Sequence, residues 1–358
     1  MKRYHNLPKL INISEYSQAR YSLIKYFGVC NKIKSVYEFG SVKYPGISDL
    51  DIIVVSEEEN EFICELVDTN NIPDNVIKLM DGGTLIVMGE KEFEKIKYWD
   101  DVNLTKIYGN NILFKNYEGL GKEHIHLCRL LDWIPERLVK IYSMLNSKPL
   151  NVKYSIGYLY SFSLSLKNAG YLFGEKNEIY TNYHSKIHIL RNDWFKDINQ
   201  SIKEMISCLK LSLSIGRKVI NIIDKYIIEH GLMDNLNRNN NTYSFNFRNS
   251  MIYVFNEKYN VINDEEYIKI NNNNIAEIIL PISFYYFYAV YSMFGGIVGN
   301  TMKKFIIPIP TADIYKIYDS SLFEIQRNRM KICNDLASFL LKNKLKNGLF
   351  KYGWFYPP

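Results

Sequence analysis

Two carboxylates one residue apart, Asp49 and Asp51, are followed at once by the β-branched residues Ile52, Ile53, Val54 and Val55. In an extended strand alternate side chains share a face, so both acids are expected to project together while Leu50 turns into the core. Like charges placed side by side repel, and a cation between them offsets the repulsion. A hard divalent ion such as Mg²⁺ takes oxygen ligands from one or two carboxylates and from substrate phosphates. Upstream, the pair Gly40-Ser41 offers backbone amides and a hydroxyl to phosphate oxygens, and glycine lets the backbone come close. Lys43 stands near enough in sequence to neutralise phosphate charge. Ser48 is placed to orient the first carboxylate, to touch a phosphate, or simply to start the strand.

Gly-Ser, a loop and Asp-x-Asp entering a strand resemble the mark of the nucleotidyltransferase superfamily with the DNA polymerase β-like fold. The resemblance covers roughly residues 30 to 90. It implies a catalytic domain in which Asp49 and Asp51 hold two Mg²⁺ ions and Gly40, Ser41, Lys43 and Ser48 contact a nucleoside triphosphate. Two metals about 3.5–4 Å apart clamp the attacking and leaving oxygens of an in-line displacement. A third carboxylate from a neighbouring strand normally completes such a site and often serves as general base. Asp81 is the first candidate, although Asp81-Gly82-Gly83 also reads as a turn; Glu90 and Asp101 are the others. The loop from residue 42 to 48 is shorter than in many members of the superfamily.

The implied activity is transfer of a nucleoside monophosphate from a triphosphate to an acceptor. A small molecule or sugar is favoured, with a protein or oligonucleotide open. Two alternatives accompany it: a catalytically inactive nucleotide- or partner-binding protein of the same fold, and a nucleotide second-messenger synthase.

The rest of the chain must position these residues. Helical spacing predicts an opening helix over residues 13–28, with Ser14 as its cap, and a strand over 34–39 leads into Gly40-Ser41. A helix is expected over 57–68. Apolar runs at 76–80 and 84–88, separated by Asp-Gly-Gly, read as a hairpin. A short charged helix (90–99) and a strand (103–108) follow. From about residue 123 the segments 127–145, 154–173, 184–195 and 199–229 have helical period, with Pro135 expected to break or kink the first. Residues 235–241 are a polar break. Alternation over 242–255 predicts a small β-rich piece to about residue 270, the asparagines 271–274 a loop, and 320–346 a final helix. The expected architecture is an α/β (α+β) nucleotidyltransferase domain with a mixed sheet (1–118), a helical domain (119–234) and a small α+β C-terminal region (235–358).

Composition bounds the function classes. With 47% hydrophobic and 23% charged residues in 358, the chain is globular rather than disordered. A net charge of +6 fits an anionic, phosphate-bearing ligand without the basic stripes of a nucleic-acid groove. Five scattered cysteines with no CxxC pair point to reduced thiols in a cytoplasm and away from a zinc site. No apolar leader opens the chain, so no signal peptide is expected. Residues 278–302 carry no charge, but proline, glycines and many tyrosines interrupt them, so a buried helix or strand pair is expected rather than a membrane span. His184 and His188, four apart, share a helical face as zinc ligands can, with no HExxH pattern beside them.

Overall fold

Residues 52–55 are fully buried on both sides of their strand, so helices must cover the sheet on either face. The structure, a computed structural model, describes residues 3–57, 72–80, 85–99, 103–114, 121–174, 178–233, 242–247, 251–263, 265–304 and 319–342. It is a mixed α/β protein that divides into two units. One comprises residues 8–118 and 328–358, the other residues 1–7 and 119–327.

After the two-residue strand β1 (Tyr4–His5), which belongs to the second unit, helix α1 spans Ile13–Phe27. Its cap is Asn12, not Ser14. Asn12 Oδ1 accepts the Ser14 amide at 3.0 Å, and Glu15 Oε1 accepts the Asn12 amide at 3.0 Å. Asparagine caps as well as serine does, and only Asn12 has a glutamate three residues on to close the box. Tyr16, Ala19, Leu23 and Phe27 form its buried stripe.

The first unit continues with β2 (Ile33–Phe39), β3 (Asp51–Ser56), α2 (Asp74–Ile77), β4 (Leu85–Gly89), α3 (Glu90–Glu94), α4 (Ile96–Trp99) and β5 (Leu104–Gly109). The sheet order is β4-β3-β2-β5. β2 is antiparallel to β3 and to β5, whereas β3 and β4 are parallel. The hairpin expected across Asp81-Gly82-Gly83 does not form: residues 76–80 are the end of α2 and a turn. Pro73, at φ −55°, presets a helical start, and Asp74 follows in the first turn. A short apolar run cannot by itself tell strand from helix. Parallel pairing with β3 also demands a crossover, not a tight turn. The helix expected over 57–68 lies outside the described residues except for Glu57, a bend. The single helix expected over 90–99 is two short ones, parted at Lys95.

The second unit holds α5 (Lys122–Asn146), β6 (Leu150–Asn151), α6 (Val152–Phe173), α7 (Glu178–Asp193) and α8 (Ile198–Glu229), then β7 (Tyr243–Phe247), β8 (Met251–Phe255), β9 (Ile268–Ile270) and β10 (Ala276–Leu280). Helices α9 (Ile282–Tyr291) and α10 (Gly296–Lys303) follow, and α11 (Ser320–Lys342) begins in this unit and ends in the first. β1 pairs with β6. β7 and β8 form the expected antiparallel hairpin in a second sheet of order β7-β8-β10-β9.

Helix α5 continues unbroken past Pro135. A proline in mid-helix removes the amide that would serve the carbonyl four residues earlier, here that of Leu131. The Tyr288 hydroxyl of α9 donates to that carbonyl instead. Burial therefore leaves no orphaned acceptor at Leu131, and the helix survives its proline. The uncharged stretch 278–302 resolves into the end of β10, Pro281, the wholly buried α9, and α10, which Gly295 caps. Among the described residues no helix is long and apolar enough to cross a membrane. The helical stretch 119–234 and the β-rich residues beyond it belong to one unit as far as residue 327.

Candidate functional site

Strand β2 ends at Phe39, and Phe39 pairs with Asp51, the first residue of β3. The antiparallel register therefore sets Gly40-Ser41 and Asp49-Leu50-Asp51 at one and the same end of the sheet. Gly40 leaves the strand at φ +88°, a left-handed conformation that glycine adopts without cost. Its amide donates to the Asn103 carbonyl at 2.8 Å. The Gly40 N–H, one of the two amides expected to turn to phosphate, is in this conformation bonded to a carbonyl just beyond the end of β5. Ser41 and Lys43 are exposed, and Lys43 Nζ stands 5.6 Å from the centre of the Tyr44 ring, in cation–π range.

The loop between the two motifs is braced from α1. The buried Tyr16 hydroxyl accepts the Gly46 amide at 3.0 Å and donates to the Ser48 carbonyl at 2.9 Å. Gly46 sits at φ +82°, and a Cβ there would stand 1.9 Å from the Lys9 carbonyl oxygen. The Ser48 hydroxyl, buried, accepts the Tyr44 amide at 3.2 Å. Through this bond Ser48 helps to shape the loop, a role its sequence position did not suggest. No sequence pattern pointed to Tyr16, because its partners lie about thirty residues away.

Leu50, Ile52 and Val54 are buried as the alternation required, and so are Ile53 and Val55. Asp51 shares the face of Ile53 and therefore of Ile53's cross-strand partner Tyr37, whose ring packs at a tilt against Phe93, centroids 4.5 Å apart. Asp49 lies two residues before the strand's first residue, where strict alternation no longer holds. Both aspartates are half-buried, and Asp49 Oδ1 is shielded from solvent. The Leu50 amide between them donates to the Leu79 carbonyl at 2.9 Å, which pins the stretch to the turn after α2.

The three candidates for a third carboxylate fall in different places. Glu90 follows Gly89, whose partner is Ser56, the far end of β3 from Asp51. Five residues of strand separate the two ends by about 17 Å. Glu90 is ion-paired there with Lys34, so it is not a third member of the site. Asp81 and Asp101 lie outside the described residues. The strands they precede, β4 and β5, both start at the Asp51 end, since Leu85 pairs with Ile52 and Leu104 with Phe39. Among the described residues no three of His, Cys, Asp and Glu could together hold a metal ion.

Glu38, which sequence reasoning passed over, is a buried acid beside this site. It pairs with Ile52, so it points to the opposite face from Asp51, where Arg20 of α1 binds both its oxygens at 2.7 and 3.0 Å. Its role is to fasten α1 to the sheet. Comparisons with protein-family models, with curated proteins and with solved structures each return no match.

Two histidines of α5 are held by neighbours. His126 Nδ1 meets Asn168 Oδ1 at 2.8 Å and the ring stacks on Tyr171 at 4.5 Å. His124 lies 3.6 Å from Asp319. The described cysteines, Cys30, Cys128, Cys208 and Cys333, are free thiols. Burial pushes the Cys208 thiol up to about 11, which leaves it protonated and inert at neutral pH.

Proposed function

We propose that the first unit is a Mg²⁺-dependent nucleotidyltransferase domain, accompanied by the helical stretch 119–234 and the α+β region beyond it. The observation that carries the reading is the β2–β3 register, which brings Gly40-Ser41 and the two aspartates to one sheet end. Two half-buried carboxylates and a neighbouring exposed hydroxyl are oxygen donors of the kind a hard divalent cation accepts. Bound there, Mg²⁺ would offset the charge of a triphosphate and of the carboxylates. Asp49 and Asp51 hold the cation, Ser41 bonds a phosphate oxygen, and Lys43 neutralises phosphate charge from the loop. Tyr16 and Ser48 keep that loop in shape.

In the reaction the acceptor oxygen forms a bond to the α-phosphorus, the bond to the β-phosphate oxygen breaks, and pyrophosphate leaves. The acceptor's proton passes to a base, for which Asp81 and Asp101 are the candidates. A small-molecule or sugar acceptor fits the mild net charge of +6, and scattered thiols fit a reducing cytoplasm.

A second reading, nucleotide binding without turnover, is favoured by one observation: the Gly40 amide is already bonded to Asn103. Incubating the chain with nucleoside triphosphates, Mg²⁺ and cell extract, then measuring pyrophosphate and product mass, separates the two. Pyrophosphate above the Asp51→Asn control supports transfer. Triphosphate binding without release supports the second reading, and the absence of both rejects the site. A product joining two nucleotides would instead mark a second-messenger synthase.

A further inference from the structure

His184 and His188 stand one turn apart on α7, with their Nε2 atoms 2.8 Å from each other. Their neighbours fix the protons. The Ser163 hydroxyl donates to the Tyr160 carbonyl at 2.7 Å, which leaves its oxygen to accept. The group 3.1 Å from that oxygen is His184 Nδ1, which therefore carries the proton. An imidazole protonated at Nδ1 has a bare Nε2, and in His184 that lone pair faces His188. Both rings are half-buried, so one side of the pair is open to solvent. Tyr180 stacks on His184 at 5.4 Å, while Tyr160 stacks on His184 at 6.4 Å and meets His188 edge-on at 5.7 Å. Arg191 lies 4.0 Å from the centre of the Tyr160 ring.

We infer that His184 and His188 are adjacent ligands of a divalent transition-metal site, separate from the aspartate pair. Metal–nitrogen bonds of about 2.0 Å meeting at a right angle put their nitrogens about 2.8 Å apart, whereas a tetrahedral angle needs about 3.3 Å. The observed 2.8 Å suits square-planar or octahedral geometry, and so Cu²⁺ or Ni²⁺ ahead of tetrahedral Zn²⁺. Ser163 holds the His184 proton on Nδ1, as outer-shell groups do for metal-bound histidines. His188 binds after moving its proton from Nε2 to Nδ1, with no net loss of protons. Among the described residues no third His, Cys, Asp or Glu completes a set.

The test titrates the full chain with Cu²⁺, Ni²⁺ and Zn²⁺ by calorimetry and follows Cu²⁺ by electron paramagnetic resonance. The expected result is one Cu²⁺ per chain with two coupled imidazole nitrogens, bound more tightly than Ni²⁺ or Zn²⁺. His184→Ala and His188→Ala should each weaken Cu²⁺ at least tenfold, and Ser163→Ala on the order of tenfold. A measurement on the unmodified chain guards against variants that fail to fold. With nitrogen-labelled histidine, substoichiometric Cu²⁺ should broaden the ring signals of His184 and His188 before those of His5, His124, His126 and His230. Broadening of another histidine first, unchanged Cu²⁺ affinity in the double variant, or no binding in micromolar Cu²⁺ would each overturn the assignment.

Discussion

The Tyr16 hydroxyl ties α1 to the loop between the two motifs by accepting from Gly46 and donating to Ser48, both buried. Removing it strands a buried amide and a buried carbonyl, at a cost of about 1–3 kcal/mol. Tyr16→Phe should lower the urea midpoint accordingly and weaken triphosphate binding, while Tyr21→Phe, at an exposed position of the same helix, should do neither. Glu136 presents the reverse case. Desolvation raises its carboxyl above 4.5 against the lowering effect of Arg137 and Lys140. The native state then keeps a proton that the unfolded state releases, so stability is full below pH 4.5 and falls as pH rises through the native value. Glu136→Gln should therefore raise the melting temperature at neutral pH and remove that slope, as read by thermal unfolding across pH 4–8. The charge of Glu136 also helps raise the buried Tyr253, so the same variant should lower the Tyr253 titration.

Among the elements, α5 depends on a partner that no local pattern reveals. Tyr288 serves the Leu131 carbonyl that Pro135 leaves without an amide. Tyr288→Phe should cost about 1–3 kcal/mol in the native background and much less beside Pro135→Ala, whose restored amide takes over. Equal costs in both backgrounds would show that the hydroxyl stabilises something else. At the sheet, Glu90→Gln should leave nucleotide binding unchanged, because Glu90 faces Lys34 at the far end of β3. The strands that alternate or follow a glycine were legible in the sequence because burial enforces their period, as were the long helices of the second unit. The α2 turn was not, since four apolar residues after a proline suit helix and strand alike. Nor was the Asn12 cap chosen over Ser14, a choice that rests on where Glu15 falls. The aspartate pair and the Gly-Ser turn were legible because their types are unfavourable in a strand unless something else uses them. Glu38 with Arg20, and Tyr16, were hidden because tertiary folding alone joins them to their partners.

At the scale of the whole molecule, one end of the first sheet is proposed to bind a metal–triphosphate complex through Asp49 and Asp51. Calorimetry of a non-hydrolysable triphosphate analogue with and without Mg²⁺, paired with thermal unfolding of the metal-free chain, tests it most directly. Asp49→Asn and Asp51→Asn keep the side-chain size and remove the charge that holds a cation. The native chain should show Mg²⁺-dependent binding that each variant loses, while the metal-free melting temperature stays level or rises as repulsion is relieved. A clear fall in the metal-free melting temperature, with Mg²⁺ and nucleotide binding intact, would contradict it and make the two aspartates supports of the fold.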